Sequence, residues 1–197
     1  MEKQRTVVVF DFDGTLTTKD TLLEFIAFAF GRASLCMGLI LHSPLLIMMK
    51  LRLYPNGKAK QKVFSWFFKG MEYKKFAKLG EDFADIIDTM KKETTIATLR
   101  KHQKEGCNIY VISASIHEWV HPFCRRLGLK NILATQVEIN DKGLLTGRFA
   151  TPNCYGSEKV HRLLEVEPMR SEYYLYAYGD SEGDRELISF ANKGFYV

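Results

Sequence analysis

The sequence predicts an α/β fold: a mainly parallel sheet with crossover helices and a large all-helical insertion. Three observations predict it. Short β-branched runs alternate with helical patterns along most of the chain. The first run, Thr6–Phe10 (TVVVF), is apolar without alternation, as expected of a strand covered on both faces. About 80 residues then separate it from the helix leading into the second strand, where a parallel crossover needs only about a dozen or more.

After the first strand, Asp20 suits the N-cap of a helix over Thr21–Phe30. Next comes LCMGLILHSPLLIMM, Leu35–Met49, which is apolar apart from His42 and Ser43, is broken by Pro44, and is followed by Lys50, Arg52, Lys58, Lys60 and Lys62. A spanning helix needs about 20 such residues, and Pro44 divides the run. A buried core hairpin is therefore preferred to an interfacial segment. The remaining elements follow in turn: a helix Thr95–Glu105 closed by Gly106, a strand Asn108–Ser113, and a helix Ile116–Leu127 closed by Gly128. A strand Ile132–Thr135 precedes a hairpin of Val137–Ile139 and Leu144–Phe149, joined through Asn140–Gly143. A helix Ser157–Glu165, a strand Tyr174–Tyr178 and a helix Ser181–Phe190 with Ser181 as N-cap lead to a fifth strand from Gly194. That strand pattern reaches Val197. The expected organisation is a core of residues 1–17 and 93–197, with 18–92 inserted over the strand ends, where open parallel sheets bind ligands.

Composition excludes disorder, collagen and coiled coil, since 46% of the 197 residues are apolar and 26% charged. Cys36, Cys107, Cys124 and Cys154 have no CxxC spacing, which predicts reduced, structural thiols in a cytoplasmic protein. Met1–Arg5 leads into an apolar run far short of a secretory signal. The net charge of +5 hints at an anionic partner.

Directly after the first strand stand Asp11-Phe12-Asp13-Gly14-Thr15. Two carboxylates one residue apart at the end of a buried strand are costly unless a cation or hydrogen bonds compensate them; the plain alternative is an Asp-Gly turn. The other strand ends favour chemistry. The second ends in Ser113, the fourth in Gly179-Asp180-Ser181-Glu182-Gly183-Asp184, and Lys159 lies one turn into the helix before it. His117-Glu118-Trp119-Val120-His121 matches the HExxH zinc pattern. Pro122 follows at once, however, and no third ligand stands at a recognisable spacing, so zinc chemistry is set aside.

The strand-end set resembles the haloacid dehalogenase superfamily, in particular its subfamily IB, the phosphoserine-phosphatase-like branch. The motifs VVVFDFDGTLT (7–17), VISAS (111–115), GSEK (156–159) and YGDSEGD (178–184) occur in the family's order over nearly the whole chain. The resemblance implies a Rossmann-like three-layer core with an inserted all-α, C1-type cap. It implies Asp11 as nucleophile, forming an aspartyl-phosphate, and Asp13 as general acid and base. It further implies Mg²⁺ held by Asp11, the Asp13 carbonyl and Asp180, with Asp184 acting through water or by orienting Asp180. Ser113 and Lys159 would bind the phosphoryl group. A retained Asp13 argues for an oxygen leaving group, hence a phosphatase, with a phosphomutase or phosphotransferase as the alternative.

Relatives that hydrolyse phosphoserine carry two glycines where this chain has Ala114-Ser115, and a glutamate where it has Asp20. Both departures weaken a phosphoserine assignment. Asp20 is either a substrate contact or the helix cap, with the cap preferred. The insertion resembles the cap of phosphatidylglycerophosphatase type C enzymes, which widens the expected substrate from a small phosphorylated metabolite to a lipid phosphate, with peripheral contact to an anionic membrane at its inner face. A non-enzymatic membrane- or nucleic-acid-binding scaffold is the rival of another class. Nucleic acid is not expected as a partner, for no basic patch is interleaved with aromatics.

Overall fold

A computed structural model describes residues 5–197, so the reading of Met1–Gln4 lies outside the described residues. Five parallel strands form the main sheet: β1 (Arg5–Phe10), β2 (Asn108–Ile116), β3 (Asn131–Thr135), β6 (Tyr173–Gly179) and β7 (Lys193–Tyr196), in the order β3-β2-β1-β6-β7. The chain builds outward from β1 to β3, then returns to the other side of β1. The point where the order reverses therefore lies between β1 and β6, and that is where an open α/β sheet has its crevice. The continuous apolar character of Val7–Phe10 is explained by full burial at the sheet centre.

The hairpin β4 (Val137–Ile139) and β5 (Leu145–Phe149) stands apart from this sheet. Its turn is held by Asn140 Oδ1, which accepts from the backbone N–H groups of Lys142 and Leu144. The expected helix Ser181–Phe190 is divided. A 3₁₀ turn at Glu182–Asp184, capped by Ser181, precedes α8 (Arg185–Phe190), because the Asp184 side chain turns back to the N-cap backbone.

Between β1 and β2 lie α1 (Thr21–Phe30), α2 (Arg32–Lys50), α3 (Asn56–Phe68), α4 (Tyr73–Asp88) and α5 (Glu93–Lys104). The apolar run is not a buried hairpin. It is the single helix α2, and within it only Leu35 and Gly38 are buried. Pro44 fails to break it because the carbonyl left without an N–H partner, that of Ile40, accepts instead from the Ser43 hydroxyl at 2.8 Å. Gly38 permits α3 to approach: a Cβ there would sit 2.4 Å from the Phe67 ring.

The helices do not carry a core of their own. One apolar cluster runs from Val8 and Phe10 through Trp119 and Phe123 to Phe25, Phe68, Phe76 and Phe83. Trp119 and Phe123 belong to α6 (His117–Arg126), which packs between the sheet and α4. The opposite sheet face buries Val7, Val9, Ile112 and Leu175 with Leu163 of α7 (Ser157–Val166), completing the three layers. Pro122 lies inside α6. The carbonyl its ring leaves without an intrahelical donor, that of Glu118, faces Gly80 of α4, where a Cβ would approach to 2.4 Å.

Candidate active site

The carboxyl ends of β1, β2 and β6 bring Asp11, Ser113 and Asp180 to the rim of one cavity of about 510 Å³. Asp11 is reached directly from the last residue of β1, and its N–H donates to the Tyr178 carbonyl at 2.9 Å, which ties the loop to β6. Gly14 (φ +73°) then turns the chain away. Any Cβ there would lie 2.0 Å from Asp180 Oδ2, so Asp180 occupies the space that glycine leaves.

Lys159, 2% exposed, is the cation of the site. Its Nζ lies 2.6 Å from Asp11 Oδ1 and 2.5 Å from Asp184 Oδ1. Burial opposes its charge, but Asp11 and Asp184 outweigh burial and hold the ammonium above its usual range. The other Asp184 oxygen accepts from the N–H groups of Asp180 and Ser181 and from the Ser181 hydroxyl. Both oxygens of Asp184 are therefore engaged in fixing Lys159 and the turn that carries Asp180. Burial lifts the Asp11 carboxyl to about 7 even with Lys159 beside it.

Asp13 faces another way. Its Oδ1 accepts from the N–H and the hydroxyl of Thr21, at 3.0 and 2.6 Å, and its Oδ2 accepts from the Ser115 hydroxyl. Trp119 Nε1 donates to the Thr21 hydroxyl at 3.0 Å, so the buried aromatic core fixes this network. Desolvation, then the charge of Asp20, push the Asp13 carboxyl upward, with Lys60 acting against them. Asp20 caps α1 by accepting from Leu23 N–H at 3.2 Å, and it also lines the cavity. Ser113 Oγ accepts from Ser115 N–H at 2.9 Å, held by the bulged stretch of β2 where register with β3 shifts.

Thr21, Ser115, Lys60 and Lys92 join the site beyond the residues expected to carry chemistry. Lys60 lines the cavity and donates to the Ala114 carbonyl at 2.8 Å, so it belongs to the site rather than to an outer basic surface. Its spacing of three and four from the buried Val63 and Phe64 placed it on the inner face of α3. Ser115 stands two residues from Ser113, on the same side of a strand. Lys92, which donates to the Gly14 carbonyl at 3.0 Å, carried no such signal. The cavity also has an apolar lining, contributed by Leu22, Leu23, Val63 and, from α2, Leu39, Leu46 and Met49.

Among the described residues, Asp11, Asp180 and Asp184 bring carboxylate oxygens within 4.8 Å of one another. Asp11 and Asp184 share the Lys159 ammonium and Asp180 adds a third carboxylate beside them, so acidic groups outnumber the contacting cation before any anionic ligand enters. An all-oxygen set of this kind fits a hard divalent cation. The HExxH pair does not form such a group: His117 and His121 stack at 5.1 Å, and Glu118 turns into the interface with α4, leaving Oε2 without a partner.

Known proteins share this fold. Protein CicA of Caulobacter vibrioides is 31% identical over 194 residues, 97% of this chain and 86% of that protein. A Bordetella pertussis protein of unknown function superposes with a TM-score of 0.83 at 21% identity, over 98% of this chain and 90% of that one. A phosphoserine phosphatase solved as a phospho-aspartyl intermediate analogue superposes with a TM-score of 0.71 at 19% identity, over 98% and 87%. The family model of haloacid dehalogenase-like hydrolases matches residues 8–189, and the chain belongs to that family.

Proposed function

We propose that this hydrolase is a magnesium-dependent phosphatase that cleaves a phosphomonoester through an aspartyl-phosphate on Asp11. The observation that carries the reading is the pairing of two buried carboxylates at one strand end with different partners. Asp11 is bound to the buried Lys159, while Asp13 is held by Thr21 and Ser115, apart from that cation, and desolvation pushes its carboxyl upward against those hydrogen bonds. Asp11, Asp180 and the Asp13 carbonyl would hold Mg²⁺, with Asp184 orienting Asp180. The cation, when bound, supplies charge neutralisation on the phosphoryl oxygens.

In the first step an Asp11 carboxylate oxygen attacks phosphorus and the ester P–O bond breaks. The departing alkoxide takes its proton from Asp13. Ser113 and Lys159 orient the phosphoryl group and offset its charge. In the second step Asp13, now ionised, takes a proton from water as the water attacks phosphorus, which releases phosphate and restores Asp11. The apolar wall of Leu39, Leu46 and Met49 meets the alcohol portion. Of the two expected substrate classes it suits a lipid phosphate better than a polar metabolite. The test is p-nitrophenyl phosphate turnover with Mg²⁺, with EDTA, and by Asp11→Asn. Loss of turnover in the last two supports the reading; metal-independent turnover, or turnover surviving Asp11→Asn, refutes it.

A further inference from the structure

The inner stripe of α2 is spent on the protein: Leu35 and Gly38 are buried, and Leu39, Leu46 and Met49 line the cavity. On a helix exposed to water the opposite face carries polar residues. Here it carries Met37, Ile40, Leu41, Ile47 and Met48, continued by Leu51, and all are exposed, Ile40 to 74%. The helix's two polar side chains in this run are satisfied within it, Ser43 Oγ on the Ile40 carbonyl and His42 Nδ1 on the Gly38 carbonyl. Beside this face α3 presents Trp66, 57% exposed, at a groove shared with His42, Lys62 and Lys69.

Charge identifies what covers the face. Residues 31–70 contain seven Lys and Arg and no Asp or Glu, more than the whole chain's net charge of +5. A second copy related by a two-fold axis would set like charges against each other. An anionic surface complements them, and Trp and Lys side chains suit the boundary between headgroups and acyl chains. The 19-residue α2 is long and apolar enough to cross a membrane. Its inner stripe, however, is committed to α3 and the cavity, so it lies in the plane of the surface.

We propose that α2 and the adjoining face of α3 dock the protein on an anionic bilayer, with the outward stripe of α2 in the interface and Lys50, Lys62 and Lys69 against the headgroups, while Arg32 and Arg52 stand at the margin in ion pairs with Glu24 and Glu182. The cavity then stands one helix diameter, about 10 Å, from the bilayer. Docking does not depend on the phosphatase reading.

The test is co-sedimentation of the full chain with vesicles of phosphatidylcholine alone and with about one third phosphatidylglycerol. Binding is expected on the anionic vesicles and weakens as salt rises. Ile40→Ser/Ile47→Ser should lower partition about tenfold or more, and Lys62→Glu/Lys69→Glu should do so on anionic vesicles. Neither pair lines the cavity, and circular dichroism with urea unfolding reports the fold of each variant; if the isoleucine variant fails to fold, the lysine variant carries the test. Absence of binding to anionic vesicles, or equal binding by a folded variant, overturns the proposal. So does a dimer in light scattering that Ile40→Ser/Ile47→Ser dissociates. Vesicle binding without phosphate release would refute the phosphatase and leave the docking standing.

Discussion

Glu118 offers a test of the α4–α6 interface through pH. Burial lifts its carboxyl from the usual 4.5 to about 7, against smaller opposing contributions from its own backbone and from Tyr73. In the folded protein it thus holds a proton between these limits, where the unfolded chain has released it. The folded state binds more protons, so stability falls as pH rises from about 4.5 through about 7. At roughly 1.36 kcal/mol per pH unit, the gap corresponds to about 3 kcal/mol at pH 8 as an upper bound. Glu118→Gln keeps the shape of the neutral acid and removes the ionisation. It should match the parent at pH 4.5 and exceed it by up to about 3 kcal/mol at pH 8.5, which for a chain of this length is roughly 6–12 °C in Tm. Urea titrations of both proteins at half-unit pH intervals measure the difference. Parallel stability profiles across that range would refute the placement of a protonated Glu118 in this interface.

Gly80→Ala introduces a Cβ 2.4 Å from the Glu118 carbonyl, backbone that cannot rotate away, and should cost about 1–3 kcal/mol in urea unfolding by pushing α4 off α6. Lys159→Met leaves Asp11 and Asp184 buried without their shared cation; a loss of about 3–5 kcal/mol at pH 8 is expected, shrinking at pH 5 as Asp11, already lifted to about 7 by burial, protonates, together with loss of p-nitrophenyl phosphate turnover. Gly14→Ala must displace Asp180, so turnover should fall at least about tenfold and the Mg²⁺ concentration for half-activation should rise, whereas an unchanged Mg²⁺ dependence would remove Asp180 from the cation site.

Where local pattern and global burial agree, the fold could be read from residues alone. Val7–Phe10 is apolar without alternation because β1 is central and covered on both faces. Gly106 and Gly128, at φ +72° and +76°, follow the helix ends where such glycines are expected. The placement of Asp11, Ser113 and Asp180 at one rim was legible for the same reason, since parallel strands deliver their last residues to one edge. The split of the expected helix Ser181–Phe190 was not, because it depends on Asp184 bonding backward to Ser181.

The sequence by itself determined the α/β order, the helical insertion and the acidic strand ends, because these follow from periodicity, capping and chain order, which are local. Tertiary structure alone decided the fate of Leu35–Met49. Apolarity and Pro44 suggested two buried halves, yet the outcome turned on one hydroxyl beside a freed carbonyl and on how much of the helix its neighbours could cover. Burial depends on what else is present to pack, and here α1 and α3 cover only one stripe of α2. The same is true of Lys60, drawn into the cavity by the inner face of α3 while Lys58 and Lys62 stay in solvent. A run of like residues is divided by the packing around it, and that division is invisible until the neighbours are in place.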